Sequence, residues 1–253
     1  MSANSYSSLC DDFYVDMHVN TELELPKSRD TILTFFERIQ KQFPQMGRFY
    51  RRDKNEYYLE EEHGVGQYRW VSLEGDRIGA GMVNPASFQD AYDLDRLVLE
   101  LMPYMLGVTP LDVDSLDLTL AMDFDCAGHH DEVIAEALFG MSAFGSLADV
   151  PHSRPIVFSP AMVLGLSDDM HIQARVSIDS KTSIYEPGEK EHSRDEAITL
   201  SLAVRQYPRT NERFDAPAAF ELQCRLAEEL MAEKIVHHFV QPLTEVIAQR
   251  RST

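Results

Sequence analysis

Cysteine is scarce in this chain: three residues in 253, at positions 10, 126 and 224, with no CxxC pair. An odd, scattered set excludes a disulfide framework and suits a reducing cytoplasm. Long apolar runs are missing as well. None reaches the roughly 18 residues that span a bilayer. The opening MSANSYSSLCDDFYV has no basic n-region and no apolar h-region, so it reads as a loose polar tail over residues 1–13 rather than a signal peptide. The expected location is cytoplasmic.

Positive charge is the third shortage. Lys and Arg number 23 against 42 Asp and Glu, for a formal charge of −19. Such a surface repels phosphate backbones and anionic headgroups, so neither nucleic acid nor membrane is an expected partner. The one basic patch, RFYRRDK at Arg48–Lys54, reads as an exposed strand or hairpin arm. Catalytic fingerprints are wanting too. There is no GxSxG elbow. The Gly-rich GDRIGAGM lacks Walker spacing and the third glycine of a dinucleotide fingerprint. No cofactor is expected.

What the chain does contain is a repeat. Val15–Arg38 lies without a gap on Leu116–Phe139, an offset of 101 positions. Val15, Met17 and Val19 fall on Leu116, Leu118 and Leu120. Asp16 falls on Asp117, and Asp30 on Asp131. In each copy apolar residues recur at every second place, as in a strand with one buried face. They then recur at helical spacing, as Ile32, Leu33, Phe35, Phe36 and Ile39 do in the first copy. Ser28 or Asp30 is placed to cap that helix. Strands are expected at 56–62, 67–73 and 77–83, then a helix from Phe88, kinked or ended near Pro103.

The second copy repeats the order, with an insertion at 140–155 and strands at 156–158, 162–166, 170–178 and 196–207. A polar loop over 179–195 turns at Pro187-Gly188. A closing helix runs over 217–249, interrupted at Pro242. The expected fold is α+β: two tandem strand–helix–(three or four strands)–helix units, with pseudo-twofold symmetry. The first covers 14–112 and the second 113–253. The sheet is mostly antiparallel, and helices cover one face. This order is shared by duplicated ligand-binding modules, double hot-dog folds and saddle-shaped duplicated domains.

Four groups could carry chemistry. Asp123, Asp125, Cys126, His129, His130, Asp131 and Glu132 bring thiol, imidazole and carboxylate within ten residues, all of them metal-ligand or acid–base types. Matching to the first copy assigns most of them to strand face, core or helix start. Only Gly128, His129 and His130 stay unexplained, and no metal site is expected. The catalytic candidates are therefore His129 and His130 with Asp131. The ligand-binding candidates are Gly79, Gly81 and Asn84, because small residues on a strand face admit a close neighbour. His237-His238 in the last helix should split, one inward and one outward. Acidic runs such as Glu60-Glu61-Glu62 read as solvated faces. The expected function is a non-enzymatic module that binds a small molecule or a protein. The alternative is a thioesterase-like hydrolase on a double hot-dog. An exposed edge strand would allow a homodimer.

Overall fold

A computed structural model describes residues 6–251 apart from 65, 127, 149, 154, 181–196 and 211. The first half runs β1 (Asp12–Thr21), α1 (Arg29–Gln42), β2 (Arg48–Arg51), β3 (Glu56–Glu60), β4 (Tyr68–Glu74), β5 (Arg77–Val83) and α2 (Phe88–Met105). The second runs β6 (Val113–Phe124), α3 (His130–Phe139), α4 (Gly145–Ala148), β7 (Ala161–Gly165), β8 (Ile172–Ser180), β9 (Ile198–Gln206) and α5 (Ala216–Leu230). It continues through a π-helical stretch (Met231–Val240) into α6 (Gln241–Arg251).

Among the described residues nine strands form one antiparallel sheet in the order β2-β3-β4-β5-β1-β6-β9-β8-β7. Alternation places the side chains. In β1, Phe13, Val15, Met17 and Val19 have no exposed surface, while Tyr14, Asp16, His18 and Asn20 between them are half-buried on the opposite face. The buried row continues through Leu116, Leu118, Leu120 and Met122 of β6 and Leu200, Leu202 and Val204 of β9. On this side α2 packs on β5 and β1, and α5 packs on β6 and β9. Arg96 of α2 forks onto Glu221 of α5 (2.6 and 3.2 Å).

Several expectations change in three dimensions. The N-terminal stretch is docked from Tyr6 onward, because its ring packs on Phe13 and Phe88 at 5.7 Å. β1 ends at Thr21, where Thr21 Oγ1 donates to the Leu23 carbonyl oxygen at 2.6 Å. Ser28 is the N-cap residue of α1 but makes no side-chain cap bond. α2 accommodates Pro103 within its last turn.

Residues 156–158 form no strand. The Phe158 N–H donates to Asp131 Oδ1 (2.6 Å), and its ring meets Phe139 edge-on at 4.8 Å. The closing helix is not broken at Pro242. It widens to π geometry before that residue and runs on through Pro242 into α6. π winding also corrects the split of the two histidines. Met231, Ile235, Val236 and Val240 point inward and both His237 and His238 are exposed. The 179–195 loop lies outside the described residues from 181 on. Cys10, Cys126 and Cys224 form no disulfide with one another. Among the described residues no helix is long and apolar enough to cross a membrane.

Candidate functional site

The face opposite the buried row carries Asp16, His18 and Trp70, and cross-strand register sets their neighbours. One row reads Asp16, Gly81, Trp70, Glu60, Arg48 across β1, β5, β4, β3 and β2. The next reads His18, Gly79, Ser72, Tyr58, Tyr50. The hairpin joining β4 to β5 turns at Gly75, whose φ of 58° belongs to the region that glycine enters without cost.

Gly79 and Gly81 are seats for Trp70, the only tryptophan in the chain. A Cβ on Gly79 would stand 2.8 Å from the indole Cζ3 and 2.6 Å from Ser72 Oγ. A Cβ on Gly81 would overlap Asp16 Oδ1 and stand 2.8 Å from the Val15 carbonyl oxygen and 2.9 Å from Trp70 Nε1. The missing side chains therefore admit the indole, which hydrogen-bonds the Asp16 carboxyl. Asp16 Oδ1 is nonetheless buried without a partner. Burial pushes this carboxyl up to about 7, against the pull of the indole bond.

The other half solves the same problem differently. Asp117 on β6 faces Arg205 on β9, and the guanidinium grips it with two bonds of 2.6 Å. Where Asp117 has an arginine across the ladder, Asp16 has a glycine and a borrowed indole.

Trp70 also lines a cleft of about 450 Å³, together with Arg52, Glu56, Tyr58, Glu60, Tyr68, Glu74 and Arg77. Tyr58 and Tyr50 stack at 5.4 Å, and His63 stacks on Tyr68 at 4.0 Å. Glu60, expected to be solvated, is buried and accepts from the Tyr50 hydroxyl at 2.6 Å. Burial and that bond push the Tyr50 phenol up to about 12. Glu61 is also buried and holds the Arg69 backbone N–H (3.0 Å) and guanidinium (3.1 Å). Burial lowers the affinity of His18 for a proton, aided by Arg77.

The sequence candidates fall in three places. Gly79 and Gly81 lie behind Trp70 and are not themselves lining residues of the cleft. Asn84 sits at one end of β5 with a φ of 49°. Its amide accepts from the Phe13 N–H (2.8 Å) and donates to Asp12 Oδ1 (2.7 Å) and the Gly66 carbonyl (2.8 Å), so it staples β5 to the start of β1. His129, His130 and Asp131 come together at the start of α3, all buried. His129 Nδ1 is 3.8 Å from Asp131 Oδ2, and His130 Nε2 is 3.1 Å from the Cys126 carbonyl oxygen. Asp131 Oδ1 accepts from the Phe158 N–H and from the Ser180 hydroxyl (2.9 Å). This carboxylate ties α3 to the insertion and to β8. Asp131→Ala is expected to cost about 2 kcal/mol, the usual penalty for stranding buried donors. Faster amide exchange at Phe158 would check it, and unchanged exchange would refute the tie.

Among the described residues no group of three or more His, Cys, Asp or Glu is placed to hold a metal ion. Sequence reading missed Asp16, Tyr58, Glu60, Tyr68, Trp70, Glu74 and Arg77. The available signal was the lone tryptophan two strand positions from Ser72, opposite the alternating glycines. No protein-family model and no curated protein matches the chain.

Proposed function

We propose that the chain is a non-enzymatic binding module, built by duplication, that takes its ligand on the sheet face around Trp70. The contacts of α2 with β5 and β1 and of α5 with β6 and β9, on the side of the buried row and opposite Trp70, support this reading. Duplication is supported by the register at the sheet centre. Met17 pairs with Leu118, its own counterpart at the 101-residue offset, while Val15 pairs with Leu120 and Val19 with Leu116. That exchange is what a twofold axis between β1 and β6 requires. In each half, moreover, the first strand pairs with the last: β1 with β5, and β6 with β9.

The observation that carries the binding role is the glycine-seated Trp70 beside the unpartnered Asp16 oxygen, at the wall of a cleft. A core packed for stability alone has no use for either. The cleft's three glutamates, two arginines and aromatic walls suit a ligand bearing a cationic or hydrogen-bond-donating group over a ring face. A small molecule or a protein side chain would supply it.

Trp70 supplies the test, because all tryptophan emission comes from this site. Screening cationic, neutral and anionic small molecules is expected to find ones that shift the emission and raise the melting temperature together. Trp70→Leu is expected to lose that stabilisation. A screen in which no compound moves either signal would overturn the proposal.

The hydrolase reading has weaker support. At 3.8 Å the His129–Asp131 separation exceeds hydrogen-bond reach. None of those three residues lines the Trp70 cleft.

A further inference from the structure

The two edges of the sheet are built differently. β2 ends one side with the sequence RFYR, two arginines in four residues, and charged residues of this kind blunt an edge against pairing. β7 ends the other side with AMVLG, all five residues exposed and none charged. Among the described residues its N–H and C=O groups pair with β8 on one side only.

β7 also carries the buried row out into the open. Met162 and Leu164 stand opposite Val176 and Ala174, on the row that is core elsewhere. Yet Met162 is 62% exposed and Leu164 42%, whereas Leu59 on β3 is 2% exposed. The difference is helix cover. Over the first half Phe36 of α1 reaches Phe49 of β2 at 5.4 Å, and over the second α3 lies against β8. The insertion before β7 is equally bare, with Met141, Phe144 and Leu147 all at least 60% exposed. One chain thus holds an uncovered apolar strand and an uncovered apolar segment.

We infer that β7 is the interface for a second copy of this chain, paired antiparallel strand to strand about a twofold axis, with the insertion of each chain lying over the exposed row of the other. Three observations choose this occupant. An antiparallel edge pair is self-complementary, so one patch serves both partners. Residues 140–166 contain only Asp149 and Arg154 as charged residues in a chain that is 26% charged, so two chains of −19 meet where their repulsion is least. Nine apolar side chains of this region, from Met141 to Leu164, are each at least 42% exposed, an apolar patch of the kind that marks a protein–protein contact. This surface lies at the opposite end of the sheet from Trp70 and does not depend on the binding role proposed there.

The test is the mass of the full chain in solution by light scattering, at protein concentrations from about 1 to 100 μM, a range bracketing ordinary dimer affinities. Wild type is expected at twice the monomer mass of 28.8 kDa. Val163→Lys and Leu164→Lys, at positions 58% and 42% exposed, are expected at the monomer mass with unchanged circular dichroism. The conservative Val163→Cys gives a second reading. Under mild oxidant it should form an intermolecular disulfide that wild type does not. A wild-type monomer at the top of the range overturns the inference. So does a dimer that survives both lysine variants while the Val163→Cys chain forms no cross-link.

Discussion

Gly81→Ala is expected to destabilise the protein by about 3 kcal/mol, the upper range for overpacking a filled site. In a chain of this size that is a fall of roughly 6–12 °C in melting temperature. The reason is what the added methyl would meet. One neighbour is the Val15 carbonyl oxygen at 2.8 Å, part of the central strand, and it cannot withdraw without breaking the β1 ladder. Gly79→Ala is a useful contrast, because its two nearest neighbours are the side chains of Ser72 and Trp70. Trimming the indole with Trp70→Leu is therefore expected to recover part of the loss at Gly79, where the remaining neighbour is the rotatable Ser72 hydroxyl, and little of it at Gly81. A double-mutant cycle reads this directly. Equal rescue at both positions would show that the indole, and not the backbone, fills the notch at Gly81.

Raising the pH from about 4 to about 7 is expected to cost stability through Asp16, and Asp16→Asn should remove that cost. The ordinary carboxylate value is 3.8 and the folded one is about 7. Between them the folded protein holds a proton that the unfolded chain has released. The stabilisation is thus complete below pH 4 and is lost as pH rises through 7. At about 1.4 kcal/mol per unit for one proton, and discounting for partial exposure, the variant should gain about 2 kcal/mol over wild type at pH 7.5 relative to pH 4.5. Asparagine still accepts from the indole, so the gain is not masked by a broken bond.

Asp95 of α2 acts in the same direction. It is wholly buried, neither oxygen has a hydrogen-bond partner, and burial, with the repulsion of Asp16, holds it well above the carboxylate range. Asp95→Leu is expected to raise the melting temperature at pH 8. Because the two acids repel each other, the double variant should gain less than the two separate gains together. Denaturant melts of the four proteins at both pH values decide the matter. A flat wild-type difference would mean that neither carboxyl is protonated in the folded state.

Alternation and periodicity carry information wherever a segment has one wet and one buried side. β1, β5, β6 and β9 are therefore legible from residues such as Val15-Met17-Val19 and Leu200-Leu202-Val204, and so are α1 and α2. β2 shows in the sequence only as a basic patch, because four residues are too few to show a period. Glu60 and Glu61 look solvated because nothing local announces that Tyr50 and Arg69 will reach them. Residues 156–158 look like a strand for a related reason. Nothing in the sequence says that the Phe158 N–H is committed to Asp131, a side chain 27 positions away.

By itself the sequence determined the α+β class, the central strands and helices, the acidic character and the 101-residue offset. These follow from local propensity and from a hydrophobic pattern that needs no partner to be read. Only the tertiary structure decided that Gly79 and Gly81 are seats for an indole, that Asp16 lacks the arginine Asp117 has, and that β7 is left bare. Each depends on which residue stands across a ladder or over a strand. That pairing is set by long-range register and helix cover, for which one chain segment carries no signal.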